Sequence, residues 1–289
     1  MERLYDVKAA RLYAGRLFAK KGQDPDGSGS SERGKVLRCA LAPERTIWYL
    51  FISEFLAAPQ RCGARGESAP RECESMKTVF LMIFILSTAV HLYASARKDT
   101  KLRNVTKPFI LLSLLGFYAL AARAPAAAIL LALLFSWIGD VLLIPKGVKW
   151  FTAGGIAFMI SHAFFIAGYC RDIDFARIPG ALVVALALFF AAAVAILFAK
   201  LRPHLPKALF YPMFLYLLIN GAMNCFAVFR CVSAPSAATI TTAIGAALFF
   251  VSDSSLFFVR FKKDSRLKTH FLVMLTYSLG ELLIVLGLL

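Results

Sequence analysis

From residue 78 onward, long apolar runs alternate with short polar breaks. Eight runs stand out, at 78–95, 108–122, 125–144, 150–170, 178–199, 209–230, 236–259 and 270–288. At about 1.5 Å per residue, about 20 helical residues cover the ~30 Å hydrocarbon layer. The pattern predicts an all-α, polytopic membrane protein with eight transmembrane helices. The run 108–122 is short and is expected to tilt little. Pro108, Pro125 and Pro179 fall near segment starts, where a missing N–H is harmless, and Pro212 lies inside the sixth segment. Residues 1–75 differ: they are mixed in charge, with a Gly/Ser run at 24–34, and their apolar stretch at 47–51 is too brief to span. They read as a poorly ordered extension ahead of a membrane domain at 76–289, and Met76-Lys77 before an apolar run reads as a natural beginning.

The apolar runs also resemble one another in order. Segments three and seven share Leu-Phe and an aspartate, Asp140 and Asp253. Segments four and eight align Met159 with Met274 and His162 with Tyr277, and segments two and six align Pro108 with Pro212. The near-constant offset predicts a duplicated four-helix unit, 4+4 and parallel in orientation.

Composition agrees with a membrane protein: 59% of residues are hydrophobic, 17% are charged, and the mean hydropathy is +0.68. The net charge of +16 divides into +3 over residues 1–75 and +13 over the rest. Counting boundary residues, the breaks after segments one, three, five and seven hold 15 Lys and Arg, against 4 after segments two, four and six. The positive-inside rule puts the first set in the cytoplasm and both ends of the core outside. The basic excess therefore reads as topology, and no nucleic-acid partner is expected. A multi-pass protein of a bacterial cytoplasmic membrane is the default localisation. Cys39, Cys62, Cys73, Cys170, Cys225 and Cys231 show no metal or disulfide spacing. Phosphate-loop, nucleophile-elbow, dinucleotide and zinc-protease motifs are absent. Of the four histidines, His204 and His270 fall at loops or boundaries, which argues against a three-histidine zinc site.

The candidate chemistry lies in polar residues within the apolar runs. A carboxylate in a membrane span is costly unless paired, solvated or protonated. Asp140 lies about 6 Å and Asp253 about 9 Å inside the cytoplasmic boundary, Tyr277 about 10 Å and Glu281 about 16 Å. His162 and Asn220 lie near the midplane, with Asn224 beyond it, and Lys107 sits at the mouth of segment two. This distribution predicts a wet cleft opening to the cytoplasmic leaflet with a carboxylate pair near its mouth. The plainer readings are helix–helix hydrogen bonding for Asn220 and Asn224, interfacial anchoring for Lys107, and an interior packed role for His162 or Tyr277. Gly139, Gly154, Gly155 and Gly245 read as sites of close helix approach.

These residues, in this order, resemble the YhhN family of membrane proteins, which includes the lysoplasmalogenases. The family pattern appears here as Lys107-Pro108; Phe135, Ser136, Gly139 and Asp140; Gly154, Phe158 and His162; Gly245, Ala246, Phe249, Ser252 and Asp253; and Tyr277 with Glu281. The resemblance covers about 77–289. Two positions depart from it: Glu281 stands where glutamine is commoner, and Phe165 near where an aromatic hydroxyl is common.

The resemblance implies hydrolysis of the vinyl ether of a lysophospholipid, releasing a fatty aldehyde and a glycerophospho-ethanolamine or -choline, with no metal or organic cofactor. Such chemistry needs an acid to protonate the enol-ether carbon and a base to help water add to the resulting oxocarbenium ion, as two carboxyl groups do in glycoside hydrolysis. Asp140 and Asp253 are the candidate pair, assisted by His162 and Tyr277. Lys107, Asn220, Asn224, Glu281, Ser136 and Ser252 are candidate substrate contacts, Lys107 for the phosphate. Besides the lysophospholipid, membrane lipids are the expected partners. Intramembrane carboxylates and a 4+4 repeat also suit a proton-coupled transporter or small-molecule carrier, which predicts a polar path continuing to the outer face. A structural protein without catalysis leaves the two aspartates unexplained.

Overall fold

The computed structural model describes residues 69–262 and 270–289, and among them every long element is an α-helix. The helices are α1 (Ala69–Arg97), α2 (Thr100–Ala121), α3 (Ala127–Leu142), α4 (Val148–Cys170), α5 (Gly180–Leu201), α6 (Phe210–Ser233), α7 (Ala237–Phe261) and α8 (His270–Leu286). Each apolar run has become one helix. The extension expected over 1–75 lies outside the described residues as far as 68, and α1 already begins at Ala69.

Six helices (α1, α2 and α4 to α7) are long and apolar enough to cross a membrane, and α3 and α8 are shorter apolar helices of 16 and 17 residues. The apolar runs at 125–144 and 270–288 overstate these two. Pro125 and Ala126 precede α3, and Leu143 to Pro145 follow it, so apolar residues that leave the helix still count as apolar.

The start of α2 departs from the expected loop. Asp99 caps it, its carboxylate accepting from the Lys101 and Leu102 backbone N–H groups. Most of the basic break before segment two is therefore the first two turns of a helix. Pro108 consequently lies inside α2, not at its beginning. Its carbonyl accepts a 2.9 Å hydrogen bond from the Trp137 indole of α3, which ties the two helices together at that point.

The helices α1–α2, α3–α4 and α7–α8 pack as hairpin neighbours, with α6 against α4 and α7 and with α2 against α3. Two glycines set close approaches near the two aspartates. A Cβ on Gly245 of α7 would stand 2.7 Å from the Gly280 carbonyl and the Ile284 nitrogen of α8. One on Gly139 would stand 2.6 Å from the Phe158 ring, so the missing side chain seats that ring beside Asp140. Gly154 also faces a close neighbour, whereas a Cβ on Gly155 meets nothing within 4 Å, so the close approach expected there is absent. Helix α5 packs chiefly on α6 and is apolar all round, with only 6% of its span buried. Such a helix needs an apolar solvent on its free faces.

Candidate active site

A cavity of about 260 Å³ lies among the ends of α1, α2, α3, α4, α6, α7 and α8. These are the ends joined by the basic breaks that the charge pattern assigns to the cytoplasm. Its walls include Leu143, Ile144, Met213, Leu256, Phe257 and Met274, and its polar lining includes Lys107, Asp140, Tyr216, Ser252, Asp253 and Tyr277. Both aspartates thus face one cavity, although 113 residues separate them.

Each carboxylate is held differently. Asp140, 2% exposed, pairs with the Lys107 ammonium of α2 at 3.0 Å and accepts a 2.9 Å hydrogen bond from the Tyr277 hydroxyl of α8. Asp253, 5% exposed, accepts from the Tyr216 hydroxyl and, at 2.8 Å, from the Asn220 amide, both on α6. Tyr216 and Asn220 are four residues apart, so one face of α6 presents both donors. His162 of α4 adds a third neighbour, its Nε2 3.8 Å from Asp253 Oδ2. The His162 Nδ1–H donates to the Phe158 carbonyl, so in the neutral ring the lone pair is on Nε2, toward Asp253. A crossed pattern results. Asp140 meets Tyr277, and Asp253 meets His162, the residue that the internal alignment pairs with Tyr277.

Aromatic rings close the deep end. Phe249 packs at 5.0 Å from the His162 ring and 5.4 Å from the Tyr277 ring, and Phe158 lies against both Phe249 and Tyr277. The contacts to the tyrosine ring are edge-on and the one to the histidine ring is tilted, so both rings pack against the same aromatic wall.

Of the sequence-predicted residues, Lys107, Asp140, Ser252, Asp253 and Tyr277 line the cavity, and His162 and Asn220 reach it through Asp253. Lys107 is engaged by Asp140, so its expected role as a phosphate ligand competes with that ion pair. The Ser252 hydroxyl donates to the Val273 carbonyl of α8 at 2.8 Å, joining α7 to α8. Asn224, Ser136 and Glu281 lie deeper than the cavity lining. Asn224 donates to the Asn220 carbonyl, Ser136 bonds Ser161 at 2.7 Å, and Glu281 is fully buried beside Ser136. Sequence reasoning missed Tyr216, Arg103 and Arg260, all of which line the cavity.

The opposite half of the bundle is less apolar than expected. Arg230 of α6 is buried and donates to Asp172, to the Thr242 hydroxyl at 2.9 Å and to the Gly287 carbonyl at 3.1 Å, in a region where the sequence pointed mainly to Asn224. None of those groups lines the cavity, which ends at Asp140, Asp253, Tyr216 and Tyr277. Among the described residues, no group of three His, Cys, Asp or Glu is placed to hold a metal ion.

A family model described as the YhhN family matches residues 102–288, from the first turn of α2 to the end of α8. The match leaves out α1, which the resemblance had included. Nothing among curated proteins and nothing among solved structures matches the chain.

Proposed function

The chain belongs to the YhhN family, and from that premise we propose that it is a multi-pass membrane hydrolase that cleaves the vinyl ether of lysoplasmalogens. The observation that carries this reading is the blind cavity: two buried aspartates face one apolar-walled space at the basic end of the bundle. In this reading all eight helices cross the bilayer, the short α3 and α8 included, as a duplicated 4+4 unit. Each half contributes one aspartate and one of the crossed partners, Tyr277 or His162.

The two carboxyl groups share one proton. The protonated one adds a proton to the enol-ether carbon remote from oxygen, and an oxocarbenium ion forms at the carbon bearing oxygen. The ionised one takes a proton from water as that water adds, giving a hemiacetal. Collapse of the hemiacetal breaks the C–O bond, the proton passing to the glycerol oxygen. Water is the only co-reactant, and the products are a fatty aldehyde and the glycerophospho head group. Tyr277 and Tyr216 orient the two carboxyl groups, and the apolar wall holds the chain.

The test is aldehyde release from a lysoplasmenylethanolamine by the purified full chain in detergent or liposomes. Asp140→Asn and Asp253→Asn proteins that insert normally are expected to lose roughly 10²–10⁴ in rate, the usual contribution of a general acid or base. Parental rates in both variants would remove the mechanism.

A proton-coupled carrier is the second reading, favoured by the buried Arg230 network in the opposite half. It requires a continuous polar route, whereas the cavity ends at the aspartates. Protein-dependent proton or solute flux into liposomes, with no aldehyde release, would favour it.

A further inference from the structure

Above the carboxylates, the same cavity carries cations that the hydrolytic chemistry does not use. Arg103, Lys107, Lys146 and Arg260 line it, against Asp140 and Asp253 as the acidic residues of the described lining. Lys107 is committed to Asp140. Arg103 is not so committed: among the described residues its buried Nε meets no acceptor. The Arg260 guanidinium lies over the Phe151 ring, 5.6 Å from its centre, a contact that leaves its in-plane N–H groups for an anion. His91 of α1 is 1% exposed and lines the cavity, with Nδ1 bonded to Thr106 and Nε2 without a partner. The Thr106 hydroxyl donates its one proton to the Leu102 carbonyl, so His91 Nδ1–H donates to Thr106 and Nε2 turns a lone pair, not a donor, to the cavity, which leaves the arginines as the groups for an anion.

Spacing ties this group to the carboxylates. Arg103 precedes Lys107 by one turn of α2, about 6 Å along the axis, and Lys107 holds Asp140. Arg260 follows Asp253 by two turns of α7, about 10 Å. In a lysophospholipid, the bonds P–O–C–C–C–O separate the phosphorus from the ether oxygen of the first glycerol carbon, a reach of roughly 6 Å at ordinary bond lengths.

We infer that Arg103 and Arg260 form a binding site for the phosphodiester of a lysophospholipid head group, placed so that the glycerol carries the chain's ether linkage down to Asp140 and Asp253. The inference rests on the lysolipid reading above. It gives the phosphate to Arg103 and Arg260 and leaves Lys107 to Asp140. Arginine suits the role because its planar fork meets two phosphate oxygens at once.

Binding is tested with the full chain and a saturated 1-alkyl ether lysophospholipid, which has the head group but no vinyl bond to cleave. The comparison ligand is the matching 1-alkylglycerol, which lacks phosphate. The parent is expected to prefer the phosphorylated ligand by roughly tenfold or more. Arg103→Gln and Arg260→Gln are each expected to remove most of that preference while leaving alkylglycerol binding unchanged. Arg103→Lys and Arg260→Lys, which keep the charge, are expected to retain part of it, and a preference in the parent that shrinks with added salt guards against a folding artefact. Equal binding of the two ligands by the parent overturns the site. Inorganic phosphate that competes at its own low concentration overturns the lipid assignment. Arginine-dependent binding without aldehyde release from the vinyl ether keeps the site and removes the hydrolase. Aldehyde release that neither arginine variant alters keeps the hydrolase and removes the site.

Discussion

Asp253 depends on a neighbour that carries no charge. The Tyr216 hydroxyl donates to it from α6, one turn before Asn220. A hydrogen bond to a charged group is worth about 1.5–3 kcal/mol. Tyr216→Phe removes that donor and keeps the ring against Phe257 and His162. It is expected to slow aldehyde release roughly 10- to 100-fold and to lower Tm by a few degrees, read by steady-state kinetics, well below that Tm, beside a melting curve. An unchanged rate would reduce Tyr216 to a packing residue. The sequence marks Asp140, Asp253, Asn220 and His162, because a polar group in an apolar run is conspicuous. Tyr216 is hidden in YPMFLYLLI, where a tyrosine reads as one more aromatic, and only the fold brings its hydroxyl to a carboxylate. Glu281 shows the converse: it is conspicuous in sequence, yet it lies below the cavity beside Ser136.

The helices themselves were legible from their apolar length, but hydropathy reports depth in a membrane rather than helicity. That is why α2 begins eight residues before the apolar run at 108–122, and why Arg103 and Lys107 share a helix face although both fall in the basic break before that run. Crossing distance is likewise set by glycines whose neighbours no local pattern reveals. Gly245 and Gly155 make a matched test. At Gly245 an added Cβ meets backbone of α8, which cannot move without parting the helices. Overpacking of this kind costs about 1–3 kcal/mol, so Gly245→Ala is expected to lower Tm by roughly 3–10 °C. At Gly155 the Cβ enters open space. There the alanine gains helix propensity of up to about 1 kcal/mol, and Tm is expected to hold or rise. Equal falls in both variants would mean that the α7–α8 contact does not control stability. Because α7 carries Asp253, held from α6, and α8 carries Tyr277, which donates to Asp140 of α3, separation of this pair also strains the hydrogen bonds of both carboxylates.

At the scale of the whole molecule, charge and cavity point to the same end. The basic breaks after α1, α3, α5 and α7 were assigned to the cytoplasm on charge alone, and the cavity opens among the helix ends that these breaks join. On the proposed reading, a single-chain lipid entering from that side presents its phosphate to the cations at the mouth and its ether linkage to the aspartates below. Orientation therefore decides which leaflet supplies the substrate. Arg123 lies in the α2–α3 break and Lys149 at the start of α4, on opposite ends of α3, and both are exposed. With the six native cysteines replaced by serine, Arg123→Cys in intact cells is expected to react with a membrane-impermeant maleimide. Lys149→Cys is expected to react only after the membrane is opened, because each Lys or Arg in a short loop opposes translocation. The reverse pattern would place the cavity in the outer leaflet. The same chemistry would then act on lipids presented from outside, and the 15-to-4 division of loop cations would need an explanation other than topology. Labelling of both sites in intact cells would mean that α3, the 16-residue helix carrying Asp140, does not cross. That outcome would remove the eight-crossing arrangement and leave a carboxylate on a helix that enters the bilayer without spanning it.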